Sequence, residues 1–235
     1  MSGSMSTSTG SAVSLQARHL IPLWLKCAYT AFCMILIPYY WHAYGLTNFL
    51  YFCDVSLFFT LAAVWLEWPI LASMPAVGIL LPQTLWMLDL LVELCGSHLT
   101  GMTGYMFDNS ISLFTRCLSL FHFWLPILLV WLLWRLGYDK RALVAWTLLA
   151  WGLVLVCYFF IPAPPAPPAN RLLPVNINYV YGFSDSAPQS WMPQNAYVGL
   201  LMAVLAIGIF LPTHFILSRL FLRETRAGSP PQGDR

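Results

Sequence analysis

Residues 142–161 read ALVAWTLLAWGLVLVCYFFI, a run that contains no charged side chain. A helix needs about 20 mostly apolar residues to cross the hydrocarbon core of a bilayer. This stretch has that length and that composition. It therefore predicts a membrane-spanning helix, and the segments around it repeat the pattern.

The composition of the whole chain agrees with this prediction. Of 235 residues, 59% are apolar and only 9% are charged, whereas soluble domains carry about 25% charged residues. So few charges cannot cover a water-facing surface, so lipid must cover much of the molecule. The net charge of +2 and the absence of a basic run exclude a nucleic-acid partner. The six cysteines form no CxxC pair, so we expect buried thiols and no disulfide framework.

Six apolar segments predict an all-α bundle of six transmembrane helices. Their predicted bounds are 20–41, 49–65, 70–91, 111–134, 142–161 and 196–222. A Gly-containing loop at 93–109 follows the third segment. The longest connection, 162–194, opens with the polyproline spacer PAPPAPP. The bundle domain is thus expected at 18–223, between a disordered polar tail at 1–17 and a polar tail at 224–235. The first segment lacks a cleavage site and is interpreted as an uncleaved helix.

The distribution of basic residues predicts the orientation of the bundle. Basic residues favour the cytoplasmic side of a membrane protein. On a six-helix path, only two of them, Arg116 and Arg171, fall on or near the outer side. The others share the opposite side: Arg18, Lys26, Arg135, Lys140, Arg141, Arg219, Arg223, Arg226 and Arg235. Both termini are therefore expected in the cytoplasm, with the loops 93–109 and 162–194 outside.

A few ionisable residues lie at costly positions inside the predicted helices. At 1.5 Å per residue, Asp54 lies about 7 Å and His122 about 15 Å below the outer surface. Asp89, Glu93 and Arg116 lie near that surface. Intramembrane charges usually face the bundle interior and mark a functional site. We therefore predict a polar site in the outer half of the bundle.

The fourth segment presents a polar stripe. Ser112, Arg116, Ser119 and His122 recur at helical spacing, so they share one face. The purely structural alternative is an ion pair of Arg116 with Asp54 or Asp89, together with a hydrogen-bonded core histidine at 122.

The acidic residues and histidines also raise the question of a metal site. Asp54, Asp89, Glu93, His98 and His122 have ligand chemistry, but no HExxH-type spacing occurs, and we expect no metal and no other cofactor. In the outer loops, Asn176, Asn178, Tyr179, Tyr181, His98 and Asp108 are candidates to cap the site, although ordinary loop chemistry also explains them.

Three segments carry a resemblance to a known family. They are NFLYFCD at 48–54, the stretch 101–122 that enters the fourth helix, and NINY at 176–179. Their order resembles the YwaF-like bacterial integral membrane family. That family is remotely similar to six-helix intramembrane lipid hydrolases and acyltransferases of the androgen-induced-protein type. The chain departs from the bacterial motif at Phe49 and Tyr51, where a Pro and a His are usual. It also has Phe123 after His122 in place of Gly, and no Thr at the nucleophile position.

The resemblance implies a bacterial inner membrane protein with a nucleophile in the second helix and a histidine base in the fourth. His122 fits the base, Cys53 is the nearest nucleophile, and Asp54 completes the predicted catalytic group. Tyr51, Asp89, Glu93, Arg116, Ser119, Asn178 and Tyr179 are the surrounding polar residues.

The first functional hypothesis is therefore an enzyme that cleaves or transfers a lipid acyl ester, with membrane lipids as partners. The alternative is a small proton-coupled transporter or a non-catalytic scaffold. A lateral pocket with Cys53 and His122 at its base favours the enzyme, and a water-filled path favours transport. The sequence does not identify a soluble protein partner.

Overall fold

The computed structural model describes residues 20–167 and 173–221. Helices and short loops make up this part of the chain, and it contains no β-strand. The helices are α1 Leu23–Tyr44, α2 Phe52–Leu66, α3 Pro69–Leu94, α4 Leu113–Ser119, α5 Phe121–Leu136, α6 Ala142–Phe160, α7 Gln194–Ala203 and α8 Leu211–Phe221. The predicted polar tails at 1–17 and 224–235 lie outside the described residues.

Five helical segments are long and apolar enough to cross a membrane. They are Leu23–Tyr44, Pro69–Leu94, Leu113–Leu136, Ala142–Phe160 and Gln194–Phe221. The shorter apolar helix α2, second in chain order, brings the number of passages through the bundle to six. The chain is therefore an all-helical, multi-pass membrane protein, as its composition predicted.

The two ends of the described chain lie at the same end of the bundle. The Leu20 amide donates to Glu67, in the turn between α2 and α3, at 2.8 Å. Arg135, at the end of α5, donates to the Leu20 carbonyl at 2.6 Å. The Tyr138 amide donates to the Phe221 carbonyl at 3.2 Å. We call this side the terminal end, and the opposite side, with the connections 45–51, 95–112 and 161–193, the loop end.

Helix α3 is the central helix of the bundle and packs against α2, α5, α6 and α8. Where it packs against α6, Gly78 lies against the fully buried indole of Trp146. Membrane helices use small residues in this way to bring backbones together.

The second passage begins later than predicted. After Gly45 ends α1 with φ of 79°, residues Leu46–Leu50 form a 3-10 turn, and α2 starts only at Phe52. Its 15 residues span about 22 Å, less than the roughly 30 Å of a bilayer core. The start of α2 therefore lies deep in the bundle. Asp54 is correspondingly deeper than the predicted 7 Å.

The fourth predicted helix is broken at Leu120, between α4 and α5. In a continuous helix the Phe123 amide would donate to the Ser119 carbonyl. It donates to Leu120 instead, at 2.9 Å. The Ser119 carbonyl is thereby free for the side chain of His122, which lies 2.8 Å away. The break thus exchanges a backbone bond for one to an imidazole.

Several irregularities fall at one depth. At 1.5 Å per residue, the first residue of α2, the residue Gln83 of α3 and His122 of α5 each lie about 20 Å from the terminal end. The π-helical stretch Val204–Phe210, between α7 and α8, spans the same level. Irregular backbone is tolerated at membrane depth only where protein or a water-filled cavity surrounds it. This level is therefore where a polar site can be built.

Candidate functional site

The start of α2 is held by a side chain from the long loop at the loop end. The side-chain oxygen of Asn178 accepts from the Phe52 amide at 3.1 Å. Its nitrogen donates to the Leu50 carbonyl at 2.9 Å. These two bonds satisfy an amide and a carbonyl that lack a partner within the helix at the start of α2. Asn178 therefore caps α2.

Three residues of the long loop have a strained backbone conformation. Asn176, Asn178 and Tyr179 all have positive φ values, between 54° and 61°, a region that residues other than glycine rarely adopt. The buried amide of Asn176 holds the bend by donating to the Gly182 carbonyl at 2.8 Å and accepting from the Tyr181 amide at 2.8 Å. Strain of this kind clusters at functional sites.

Asp54 is the buried acid of the site, with only 3% of its surface exposed. Its Oδ2 accepts from Asn48 at 3.2 Å, and its Oδ1 has no hydrogen-bond partner. No ion pair in the described ranges includes Asp54. A carboxylate charge at membrane depth is costly without a partner. The position is thus built to bind a proton or a positive group.

Hydroxyl groups from three parts of the chain, those of Tyr40, Tyr105 and Ser119, lie close to one another. Tyr40 of α1 exchanges a hydrogen bond of 3.1 Å with Ser119 of α4. Tyr105, from the loop 95–112, lies beside both Ser119 and Trp86, and burial raises the pKa of its phenol. Both phenols are within electrostatic reach of Cys53.

His122 lies on the α5 side of these hydroxyls. Its Nδ1 is 2.8 Å from the Ser119 carbonyl, and its ring stacks on Trp86 with centroids 5.2 Å apart. Because a carbonyl only accepts, Nδ1 carries the hydrogen and Nε2 is left as an acceptor. We call Tyr40, Cys53, Asp54, Tyr105, Ser119 and His122 the mid-depth cluster.

Two members of this cluster, Cys53 and His122, are not fully buried. Asp54, next to Cys53 in the chain, is buried. The cluster thus combines a buried acid with two partly accessible side chains.

Gln83 is an unsatisfied amide at the same depth. It is 4% exposed, and neither its oxygen nor its nitrogen has a hydrogen-bond partner. Gln83 precedes Trp86 by three residues on α3, so both side chains share a helix face. Since Trp86 stacks on His122, that face points toward the cluster. A buried amide without partners costs free energy, which makes Gln83 a candidate to bind a ligand.

The predicted Cys–His pair is not formed. No hydrogen bond in the described part of the chain joins Cys53 to His122 or His122 to Asp54. The apolar groove described by the structure lies elsewhere, between α6 and α7, and has a volume of about 310 Å³. Its lining residues are Leu155, Tyr158, Phe159, Asn195, Val198, Gly199 and Met202. It therefore does not have Cys53 and His122 at its base.

Asp89 is bound by a loop and not by Arg116. It accepts five hydrogen bonds, from the amides of Thr100, Gly101 and Thr103 and from both threonine hydroxyls. This clamp fixes the loop 95–112, which carries Tyr105 into the cluster. Asp89 therefore supports the site from outside it.

The other predicted polar residues also lie outside the cluster. Glu93 pairs with His98 at 2.7 Å, and this bond raises the pKa of the exposed imidazole. Arg116 donates to the Met106 carbonyl at 3.2 Å, so the alternative that paired it with Asp54 or Asp89 is wrong. Tyr179 is 47% exposed. Tyr51 borders the cluster, within electrostatic reach of Cys53 and Asp54.

Sequence reasoning missed several residues of the site: Tyr40, Asn48, Gln83, Trp86 and Tyr105. The tyrosines and the tryptophan were counted as apolar or interfacial residues. An uncharged amide within the third apolar segment was the signal available for Gln83. Asn48 and Tyr105 lie in loops, and only the folded chain brings them to Asp54 and Ser119.

The described residues contain no group of three His, Cys, Asp or Glu side chains placed to hold a metal ion. Searches among protein-family models, curated proteins and solved structures found no match to this chain. Fold and site geometry therefore carry the functional argument.

Proposed function

We propose that this protein is a small proton-coupled membrane transporter that uses Asp54 as its coupling carboxylate. The observation that carries the proposal is the unpartnered Oδ1 of Asp54, a residue that is only 3% exposed, in the first turn of a helix that begins about 20 Å from the terminal end. Intramembrane acids of this kind are typical of proton and substrate paths.

The physical argument concerns the cost of an isolated charge. A bare carboxylate at this depth costs at least a few kcal/mol. Two states avoid this cost, one with a proton on Asp54 and one with a positive group against it. Alternation between these states couples the movement of a proton to that of a ligand.

The broken helices support the same proposal. Transporters often bind their substrates near the bilayer midplane, between discontinuous helices. Here the start of α2, the break at Leu120 and the π-helical stretch Val204–Phe210 lie at one level. The proposed setting is a bacterial inner membrane.

A lipid acyl-ester hydrolase or acyltransferase, to which the family resemblance points, is the second candidate. One observation favours it: Nδ1 of His122 is fixed by the Ser119 carbonyl, which leaves Nε2 free of that bond to act as a base. Either the Cys53 thiol or the Ser119 hydroxyl must then move toward Nε2 to be activated.

Proteoliposomes test both candidates with one preparation. A pH-sensitive dye inside the vesicles reports proton movement while organic cations, organic anions, amino acids and sugars are added in turn outside. We expect at least one class to drive proton movement. Asp54→Asn is expected to abolish the movement, and the control Glu93→Gln, at the exposed His98 pair, to preserve it.

The same vesicles are assayed for release of fatty acid from lipid esters. Fatty-acid release that is lost in His122→Ala, without solute-driven proton movement, would favour the second candidate. Proton movement that survives in Asp54→Asn would overturn the proposed transport mechanism. Each variant is first checked for a monodisperse peak by size-exclusion chromatography.

A further inference from the structure

The turn between α5 and α6 is joined to the end of α8 at the terminal end of the bundle. The Tyr138 amide donates to the Phe221 carbonyl at 3.2 Å. A hydrogen bond of 2.7 Å links the Tyr138 hydroxyl to Nδ1 of His214, earlier in α8. Lys140 follows Tyr138 by two residues, and Arg219 precedes Phe221 by two residues. The two basic residues therefore lie at the same corner of the bundle.

This corner carries an excess of positive charge. Lys140, Arg141 and Arg219 are exposed, and we call these three residues the basic corner. Asp139 is the single acidic residue in the turn 137–141 and in α8, and Arg141 binds it at 2.6 Å. No ion pair within the described residues includes Lys140 or Arg219. These two side chains can therefore bind an anion.

An apolar surface continues from Arg219 along α8. Phe215 and Ile216 are exposed and precede Arg219 by four and three residues, so all three share one helix face. Helix α8 ends the segment Gln194–Phe221, which is long and apolar enough to cross a membrane. The last turn of α8 therefore lies near the membrane surface. Its cation is at the level of the lipid headgroups, and the two apolar side chains are at the level of the acyl chains.

We propose that the basic corner binds the phosphate group of an anionic phospholipid, with an acyl chain of that lipid along Phe215 and Ile216. Basic residues at the membrane surface attract anionic headgroups. A zwitterionic headgroup is less favoured, because it brings its own cation beside Lys140 and Arg219. The apolar face favours a lipid over a free phosphate ion, since an acyl chain gains from apolar contact and an ion does not. This inference does not rest on the transport function.

Native mass spectrometry of the full chain in detergent measures lipid binding directly. Phosphatidylglycerol and phosphatidylcholine with identical acyl chains are the two lipid probes, and inorganic phosphate is the probe for the anion alone. We expect saturable binding of phosphatidylglycerol that is more than about fivefold tighter than binding of phosphatidylcholine. Inorganic phosphate at the same concentration should not displace the bound lipid.

Variants test whether the lipid binds at the basic corner. Lys140→Gln and Arg219→Gln are each expected to weaken phosphatidylglycerol binding about fivefold, and the double variant should weaken it further. Arg219→Lys keeps the charge and should retain binding. Arg116→Gln is the matched control, because it removes one positive charge at the loop end, and it should leave binding unchanged. The thermal midpoint of each variant without added lipid shows whether it has folded.

Three results would overturn the proposal. The first is phosphatidylglycerol binding to the folded double variant that is as tight as binding to wild type. The second is equal binding of phosphatidylcholine and phosphatidylglycerol, which would show that headgroup charge does not select the lipid. The third is displacement of the lipid by inorganic phosphate at equal concentration, which would identify the ligand as a free anion. Proton movement in vesicles is a separate measurement, so the transport function stands or falls independently of these results.

Discussion

Gly78 is the residue at which the packing of the bundle is most sensitive to one added atom. A Cβ built there would lie 2.0 Å from Cε2 and Nε1 of Trp146, an indole with no exposed surface. Overpacking of this kind typically costs about 1–3 kcal/mol. We expect Gly78→Ala to lower the thermal midpoint in detergent, measured by fluorescence-detected size-exclusion chromatography.

Gly152→Ala, on α6, is the matched control, because nothing lies within 4 Å of its added Cβ. The control should be neutral or slightly stabilising. Trp146→Phe in the Gly78→Ala background should recover part of the loss, since it removes the clashing ring. A Gly78→Ala protein as stable as wild type would contradict the packing described for α3 and α6.

Glu67 couples the stability of the terminal end to pH. Burial opposes ionisation of this carboxyl, but hydrogen bonds from Lys26 and from the amides of Leu20 and Ile21 outweigh it and lower its pKa. A lowered folded-state pKa stabilises the fold above the unfolded pKa of about 4.3. This stabilisation disappears as the pH falls through the folded-state pKa.

Glu67→Gln should therefore lose stability at neutral pH, on the order of 1–3 kcal/mol. Its deficit relative to wild type should shrink as the pH falls, because a protonated Glu67 resembles Gln. Asp139→Asn is the control, since its partner Arg141 has a side chain that is 81% exposed and exposed pairs contribute little. A deficit that is constant from pH 7 to low pH would count against the coupling. Thermal unfolding across a pH series provides the measurement.

At the scale of elements, the capping of α2 by Asn178 is the contact that joins the long loop to the site. Asn178→Ala removes an acceptor for Phe52 and a donor to Leu50, and each buried group left unpaired costs about 1–3 kcal/mol. We expect faster hydrogen exchange at the amides of the first turn of α2, measured by mass spectrometry on a peptide that covers residues 48–56.

The comparison variant is Asn195→Ala, which removes an exposed bond to Tyr158 in the same part of the molecule. It should leave the exchange of the α2 peptide unchanged. Asn178→Asp keeps the acceptor and loses the donor, so its effect should fall between those of the other two. Unchanged exchange in Asn178→Ala would show that the loop does not hold the start of α2.

The predicted helices were confirmed where hydropathy alone determines them. Helix α6 begins at Ala142, as predicted, because a basic turn precedes an uninterrupted apolar run. No proline or glycine lies next to the break at Leu120. It accompanies a contact between the His122 side chain and the Ser119 carbonyl, three residues away, which a hydropathy pattern does not report. The late start of α2 depends likewise on Asn178, which is more than 120 positions away in the chain.

The site was predicted in the same uneven way. Asp54, Ser119 and His122 were predicted as site residues because polar residues at membrane depth are rare, and Cys53 was predicted from the family resemblance. A hydropathy scale gives a tyrosine the same value whether it faces lipid or the bundle interior, so the positions of Tyr40 and Tyr105 in the site could not be predicted. The pairing of Cys53 with His122 came from a family resemblance and is not formed.

At the scale of the whole molecule, the distribution of basic residues and the shared terminal end make one prediction about topology. Residues 139–141 and the described chain ends lie at the terminal end, and the loop 173–193 lies at the loop end. Basic residues concentrate at the terminal end, which predicts that this end is cytoplasmic.

In a background where the exposed cysteines Cys27, Cys95 and Cys117 are serine, Ser186→Cys should react with a membrane-impermeant thiol reagent in intact cells. Lys140→Cys should react only after permeabilisation. The opposite pattern would invert the orientation, and labelling of both variants in intact cells would refute a bundle whose two loop sets lie on opposite sides of the membrane.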